Sequence, residues 1–149
     1  MKFFLMRHGE AETFAASDML RNLTERGRLH VSEHIRHFAH QLSDVDCIVH
    51  SPYLRTCQTA RIVADILSVT DLIESDLWTP DSNPTIALQS LEQVESRCPL
   101  VVTHMPIVAR VEALCCDDER FPHPFQCGEL SQIIADWPAA GLGKHQRLV

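Results

Sequence analysis

The chain has no surplus of basic residues: 13 Lys and Arg stand against 20 Asp and Glu, a net charge of −7 with histidines neutral. Affinity for nucleic-acid or anionic-membrane phosphates needs cations in excess, so the chain is a poor candidate for either partner. It also lacks any apolar run near the ~18–20 residues of a membrane span. The stretch Phe3-Phe4-Leu5-Met6 before Arg7 is too short for the core of a signal peptide, and the protein is expected to stay in the cytoplasm. No C-x-x-C pair occurs among Cys47, Cys57, Cys98, Cys115, Cys116 and Cys127, so neither a redox motif nor a cysteine zinc clamp is signalled. In a reducing compartment these cysteines are expected to be free and to serve as small buried residues, with the vicinal pair Cys115-Cys116 the one open to oxidation. There is no internal repeat and no Gly/Ser linker. With 149 residues, 45% of them hydrophobic and 22% charged, residues 1–149 are expected to form a single globular domain.

What is present is an alternation of two periodicities. Lys2–Met6 reads as a buried strand ending at Arg7-His8-Gly9. Thr13–Asn22 reads as a loop or a short helix. From Thr24, a plausible N-cap, to Leu42, the residues Val31, Ile35, Phe38, Ala39 and Leu42 recur at helical spacing. Cys47-Ile48-Val49 is a second strand. Leu54–Leu67 is a helix, with Ser51 expected to cap it and Pro52 to fit its first turn. Leu72-Ile73 is a weak strand, and Asn83-Pro84 opens a helix carrying Leu88, Leu91 and Val94. Leu100–Thr103 is the most strand-like run. Pro106 starts a helix through Ile107, Val108, Val111 and Leu114, and Leu130–Ala135 is a further strand. The tail from Pro138 carries no clear signal. Strands alternating with helices predict an α/β three-layer sandwich around a mostly parallel sheet, with right-handed crossovers.

In such sheets ligands bind beyond the carboxyl ends of the strands. The residues placed there are Arg7-His8-Gly9, Ser51 with Arg55 one helical turn on, and Thr103-His104. Two histidines and two arginines thus converge from three segments. Two of these segments run into helices with Pro near their starts, whose free N–H groups and dipoles favour an anion. Setting aside Arg7, Arg21 and Arg55 leaves ten cations against 20 anions. Positive potential here is therefore local, and a planar guanidinium fork suits a phosphoryl group.

These residues resemble the histidine phosphatase superfamily, the phosphoglycerate-mutase-like group. Arg7-His8-Gly9 after an N-terminal strand is similar to its signature, and Leu23-Thr24-x-x-Gly27 to its next block. Ser51-Pro52-x-x-Arg55-x-x-Gln58-Thr59 is similar to its second arginine segment, and Val102-Thr103-His104 to its second histidine. Order and spacing agree over residues 1–116 and loosen beyond. The resemblance implies that His8 is the nucleophile and is transiently phosphorylated, its other ring nitrogen donating to a carbonyl. It implies that Arg7, Arg55 and a protonated His104 form the phosphate pocket, with Arg21 as a further substrate-binding candidate. No cofactor is implied, and no metal, because arginines supply the positive charge.

Larger members of the superfamily insert a helical cap between the second arginine segment and the second histidine. Here the 45 positions from Thr59 to His104 are already used by helices and strands, which implies no cap domain. The compact form resembles the SixA-type phosphohistidine phosphatases of bacteria. The partner so implied is a phosphotransfer domain or phosphocarrier protein bearing phosphohistidine, the enzyme itself being a monomer or weak dimer. Glu74, Asp76 and Asp81 lie where many members carry a general acid, yet none matches its context. A phosphoramidate with an imidazole leaving group needs less acid assistance than a phosphate monoester, among the slowest substrates to hydrolyse unaided. The alternatives are a small-molecule phosphomonoesterase on the same scaffold, or a phosphohistidine-binding module without catalysis; an intact His8 argues against the latter.

Other patterns point elsewhere. His30-Val31-Ser32-Glu33-His34 matches H-x-x-E-H, but His30, His34 and His37 are expected on the solvent face, opposite Val31, Ile35, Phe38 and Leu42. That stripe suits adventitious nickel or zinc better than a catalytic metal. No cysteine has an arginine six positions later, so a cysteine-phosphatase loop is absent. Asp44-Val45-Asp46 precedes its strand, which is wrong for an aspartate nucleophile, and Gly141-Leu142-Gly143-Lys144 is not a P-loop. His50, His123 and His145 are expected to be surface or structural residues.

Overall fold

The apolar runs become strands where helices cover both faces of a sheet. The computed structural model describes residues 1–116, 122–141 and 143–149. Its strands are β1 (Lys2–Arg7), β2 (Cys47–His50), β3 (Leu72–Glu74), β4 (Pro99–Thr103), β5 (Leu130–Ala135) and β6 (Gly143–Leu148). They form one sheet in the order β3-β2-β4-β1-β5-β6. The pairs β3–β2, β2–β4 and β4–β1 are parallel, while β5 and β6 extend the sheet antiparallel beyond β1. The helices are α1 (Glu25–His37), α2 (Leu54–Leu67), α3 (Pro84–Ser90) and α4 (Ile107–Cys115).

Strand side chains alternate between faces, and β1 sorts its own accordingly. Phe4 and Met6 pack with Val31 and Ile35 of α1 and Ala60 and Val63 of α2. Phe3 and Leu5 pack with Leu88 of α3 and Val108 and Val111 of α4. The result is the expected three-layer α/β sandwich of the phosphoglycerate-mutase-like type. Between Thr59 and His104 lie only the rest of α2, β3, α3, β4 and two 3-10 turns, so this segment holds no cap.

Beyond α3, which ends at Ser90 short of Leu91 and Val94, four details differ from the sequence reading. First, α1 ends at His37, and Phe38 and Leu42 reach the core from the turns that follow. Second, the N-cap of α2 is Tyr53, without a side-chain cap; Ser51 is drawn away into a different network. Third, His30 and His37 are exposed as expected, but His34 is half-buried against Phe38, and burial depresses its pKa. Fourth, the tail forms β6, a polar edge strand with one buried anchor, Leu148; Leu142 lies outside the described residues. All six cysteines are free, with Cys47, Cys98 and Cys115 buried and the others half-buried. Among the described residues, no helix is long and apolar enough to cross a membrane.

One glycine fixes how α1 meets the loop after β1. Thr24 caps α1 by accepting from the Gly27 amide at 2.9 Å, and its own amide donates to the Glu10 carbonyl at 3.0 Å. This draws the Glu10 backbone so close that a Cβ on residue 27 would stand 2.2 Å from the Glu10 carbonyl oxygen. Alanine would gain about 1 kcal/mol of helix propensity. No rotamer can relieve a backbone contact, however, and overpacking costs about 1–3 kcal/mol or more. With a backbone contact this close the cost falls at the upper end of that range, and Gly27→Ala is expected to lower stability by about 2 kcal/mol in urea unfolding. An unchanged midpoint would show that the loop yields freely.

Candidate active site

Parallel register brings the two histidines together. Arg7 pairs with Thr103 and His50 with Val102, so residues 8, 51 and 104 leave the sheet side by side at its carboxyl edge. The ladder runs one step further, with the His8 amide donating to the Thr103 carbonyl at 3.0 Å. The rings of His8 and His104 lie 5.2 Å apart, edge to face. Both residues are buried, at 6% and 1% exposure.

His8 is held in one tautomer. Its Nδ1 sits 2.7 Å from the Gly9 carbonyl, which can only accept, so Nδ1 carries the proton. Nε2 is left with the lone pair, and the Arg55 Nε–H donates to it at 3.2 Å. Burial pushes the His8 pKa down to about 4; the Gly9 carbonyl opposes this, and the charges of Arg55, Arg7 and Arg21 add to it. The imidazole is neutral at pH 7, as a nitrogen nucleophile must be.

Helix α2 organises the loops around this ring. Arg55, Gln58 and Thr59 share one of its faces at i, i+3 and i+4. Thr59 Oγ1 accepts from the Gly9 amide at 3.1 Å and donates to the Arg55 carbonyl at 2.8 Å. The Gln58 amide group accepts from Leu23 N and donates to Asn22 Oδ1, each at 2.8 Å.

His104 joins the polar network of the site through one ring nitrogen. Its Nε2 lies 2.6 Å from Ser51 Oγ, while Nδ1 is buried with no hydrogen-bond partner among the described residues. Burial, followed by the charges of His8 and Arg55, pushes its pKa down to about 3, against a raising influence from Asp18. In the unliganded site it is therefore neutral rather than protonated. Ser51, read from sequence as a helix cap, instead links Thr56 Oγ1 at 2.9 Å with His104.

The arginines are placed unequally. Arg55 is 4% exposed; its Nη1 donates to the Asp18 carbonyl at 2.7 Å and its Nη2 to Asp18 Oδ2 at 3.2 Å. Arg7 is anchored by Nη1 to the Phe125 carbonyl at 2.7 Å, with Nε buried and unpartnered among the described residues. Its charge acts on both histidines. It also lines an open cleft of about 420 Å³ with Glu10, Arg26, Gly27, His30, Gln126 and Cys127. Arg21 donates to the Glu12 carbonyl at 2.6 Å and to Asp18 Oδ1 at 3.0 Å, reaching the site through Asp18.

Asp18 was missed by the sequence reading. Its carboxylate bridges Arg21 and Arg55, and the hydrogen bond from Arg21 holds its pKa below the usual range. The only local signal was the i, i+3 spacing of Asp18 and Arg21. Glu74, Asp76 and Asp81 make no hydrogen bond or ion pair with His8, Arg7, Arg55 or His104. Three metal-type donors meet outside this site, at His50, Cys57 and Glu74.

The sequence profile of the histidine phosphatase superfamily (branch 1) matches residues 3–80. The chain belongs to this superfamily. Among superfamily relatives, phosphohistidine phosphatase SixA of Escherichia coli K12 is 29% identical over 143 residues, spanning 91% of this chain and 86% of its own. A solved structure of the protein histidine phosphatase SixA complexed with tungstate superposes with a TM-score of 0.87 at 29% identity, covering 98% of this chain and 94% of that one. A mycobacterial glucosyl-3-phosphoglycerate phosphatase, 13% identical with a TM-score of 0.72 over 99% of this chain and 97% of its own, shares the fold.

Neutral buried histidines carry a pH signature. Unfolded, each takes up a proton near pH 6.5; folded, His8 and His104 do so only near 4 and 3. Below pH 6.5 the unfolded chain binds more protons, so stability falls as pH drops toward 4. The urea midpoint is expected to be lower at about pH 5 than at about pH 7.5, with a smaller drop in His8→Ala. Equal midpoints in the parent protein would contradict the burial of neutral rings.

Proposed function

We propose that this chain is a protein phosphohistidine phosphatase, one histidine phosphatase domain over residues 1–149. It would hydrolyse a phosphoryl group from a phosphohistidine-bearing protein through a covalent intermediate on His8. The observation that carries this reading is the fixed tautomer of His8, whose Nε2 lone pair faces the Arg55 guanidinium in a buried site. A binding module would need the cation but not the oriented lone pair.

In the first step, His8 Nε2 bonds to phosphorus as the bond from phosphorus to the substrate imidazole breaks, and the departing ring takes a proton from solvent. In the second, water attacks phosphorus, the Nε2–P bond breaks, and phosphate leaves with His8 restored. Arg55 would turn from Nε2 to the equatorial oxygens, with Arg7 and His104 as the other pocket residues and Arg21 acting through Asp18. Arginines meet the charge, so neither step requires a metal or cofactor. Among the described residues no carboxylic acid stands ready to protonate an alkoxide: Asp18, the acid in contact with the site, is held ionised by Arg21. An imidazole leaving group suits that deficiency better than a sugar hydroxyl.

The mouth also favours a protein substrate. Met19 and Leu20, beside Asp18, are 45% and 54% exposed, and Phe14 on the same loop is 88% exposed. Exposed apolar side chains at a site rim suit docking of another protein. The similarity to SixA points the same way. A cytoplasmic monomer or weak dimer, acting on a phosphotransfer domain or phosphocarrier rather than on nucleic acid or membrane, completes the proposal.

Incubation with a phosphorylated phosphotransfer domain and, separately, with a sugar phosphate tests it. Rapid loss of label from the protein alone is expected. Loss from the sugar phosphate alone would establish a small-molecule esterase, and loss from neither would leave a binding module. His8→Ala should abolish turnover with the fold intact; substantial residual hydrolysis would remove His8 as nucleophile. Arg55→Ala should weaken vanadate binding by about 1.5–3 kcal/mol, the scale of a charged hydrogen bond. Unchanged affinity would place Arg55 outside the pocket.

A further inference from the structure

We infer that His50, Cys57 and Glu74 form a site for a zinc-type divalent ion on the flank of the proposed catalytic centre. His50 and Glu74 are the last residues of β2 and β3 and are register partners across that parallel pair, which sets their side chains beside each other on one face. Cys57 comes from the first turns of α2, its Sγ 3.9 Å from Glu74 Oε1. The three donor atoms lie within 4.8 Å of one another. A tetrahedral ion with bonds of ~2.0–2.3 Å needs donors about 3.3–3.8 Å apart, and rotation of the exposed Glu74 side chain brings its carboxylate toward the other two donors.

The imidazole is prepared for such a role. His50 Nδ1 donates to the Ser51 carbonyl at 2.9 Å, which leaves the Nε2 lone pair for a ligand. A backbone carbonyl behind the second ring nitrogen is the support that metal-binding histidines use. The same carbonyl lies 3.7 Å from Cys57 Sγ and accepts from Thr56 Oγ1 at 2.9 Å, so one peptide group positions both the histidine and the cysteine. Imidazole, thiolate and carboxylate together suit Zn²⁺ rather than Mg²⁺ or Ca²⁺, with water in the fourth position. On binding, the Cys57 S–H bond is replaced by an S–metal bond and the proton goes to solvent. This site is distinct from the His30, His34 and His37 stripe, which lies on α1.

Titration of the chelator-treated full-length protein with Co²⁺, followed by displacement with Zn²⁺, tests the site. One equivalent of Co²⁺ is expected to give a near-ultraviolet thiolate-to-cobalt charge-transfer band together with intense tetrahedral visible bands. Cys57→Ser should lose the charge-transfer band, while His50→Ala and Glu74→Gln should each weaken Zn²⁺ binding measured against a chromophoric chelator. Metal-free melting curves matching the parent would show that each variant is folded; a variant that melts early is replaced by His50→Gln or Cys57→Ala. A band surviving Cys57→Ser, Co²⁺ binding without the band, or Zn²⁺ affinity lost only in His30→Ala/His37→Ala would overturn the assignment.

Discussion

The site rests on one contact, the hydrogen bond from Arg55 Nε–H to His8 Nε2. A guanidinium always carries its protons, so it can face an imidazole nitrogen at this range only if that nitrogen keeps its lone pair. The contact and the Gly9 carbonyl on Nδ1 specify the same neutral tautomer from opposite ends of the ring. Burial adds to this by disfavouring the charged form. What makes His8 a poor base is what leaves its Nε2 lone pair free at neutral pH. The cost is a cation lodged in a nearly closed space, and Asp18 offsets it with a carboxylate and a carbonyl.

That contact survives because the loops bearing it are tied to α2. Thr59 holds the Gly9 backbone, Gln58 holds Asn22 and Leu23, and Thr24 returns the chain to Glu10 before α1 begins. These hydrogen bonds join backbone to side chain, side chain to side chain and backbone to backbone, each worth about 1 kcal/mol net. They hold the one connection from β1 to α1, residues 8–24, which lies outside the six-stranded sheet. The blocks Leu23-Thr24-x-x-Gly27 and Arg55-x-x-Gln58-Thr59 are thus one device seen from two ends. The first supplies the Leu23 amide donor and a glycine that permits close approach; the second supplies the helix face whose Gln58 accepts from that amide.

What the sequence made legible follows from burial. Strands covered on both faces read as continuous apolar runs, and their ends located His8, Ser51 and His104 without any contact being known. β6 escaped because an edge strand facing solvent has a polar sequence, Gly143-Lys-His-Gln-Arg-Leu148, with no period to detect. Asp18 escaped because loop residues carry no periodicity and its partner Arg55 lies 37 positions away. Ser51 was misread because its hydroxyl has a stronger claim on it, the buried His104 imidazole, than the helix end it precedes. His50, Cys57 and Glu74 showed no ligand spacing because two strands and a helix contribute one each.

The neutrality of His104 in the unliganded site bears on where a proton would go once substrate arrives. Both imidazoles are disfavoured as cations by burial and by the charges of Arg55 and Arg7, so a phosphoryl dianion between them opposes the arginines for both rings. They are not equivalent recipients. In the proposed reaction, His8 has Nδ1 committed to the Gly9 carbonyl and needs Nε2 for the bond to phosphorus, which leaves it no nitrogen for an added proton. His104 has Nδ1 unpartnered among the described residues and a hydroxyl at Nε2 that can turn to accept. Asp18 already favours its cationic form. In that proposed reaction, the anion bonded to His8 would also be the one that makes His104 a charged donor. The division of labour between two buried histidines comes from a single carbonyl on one and a rotatable hydroxyl on the other.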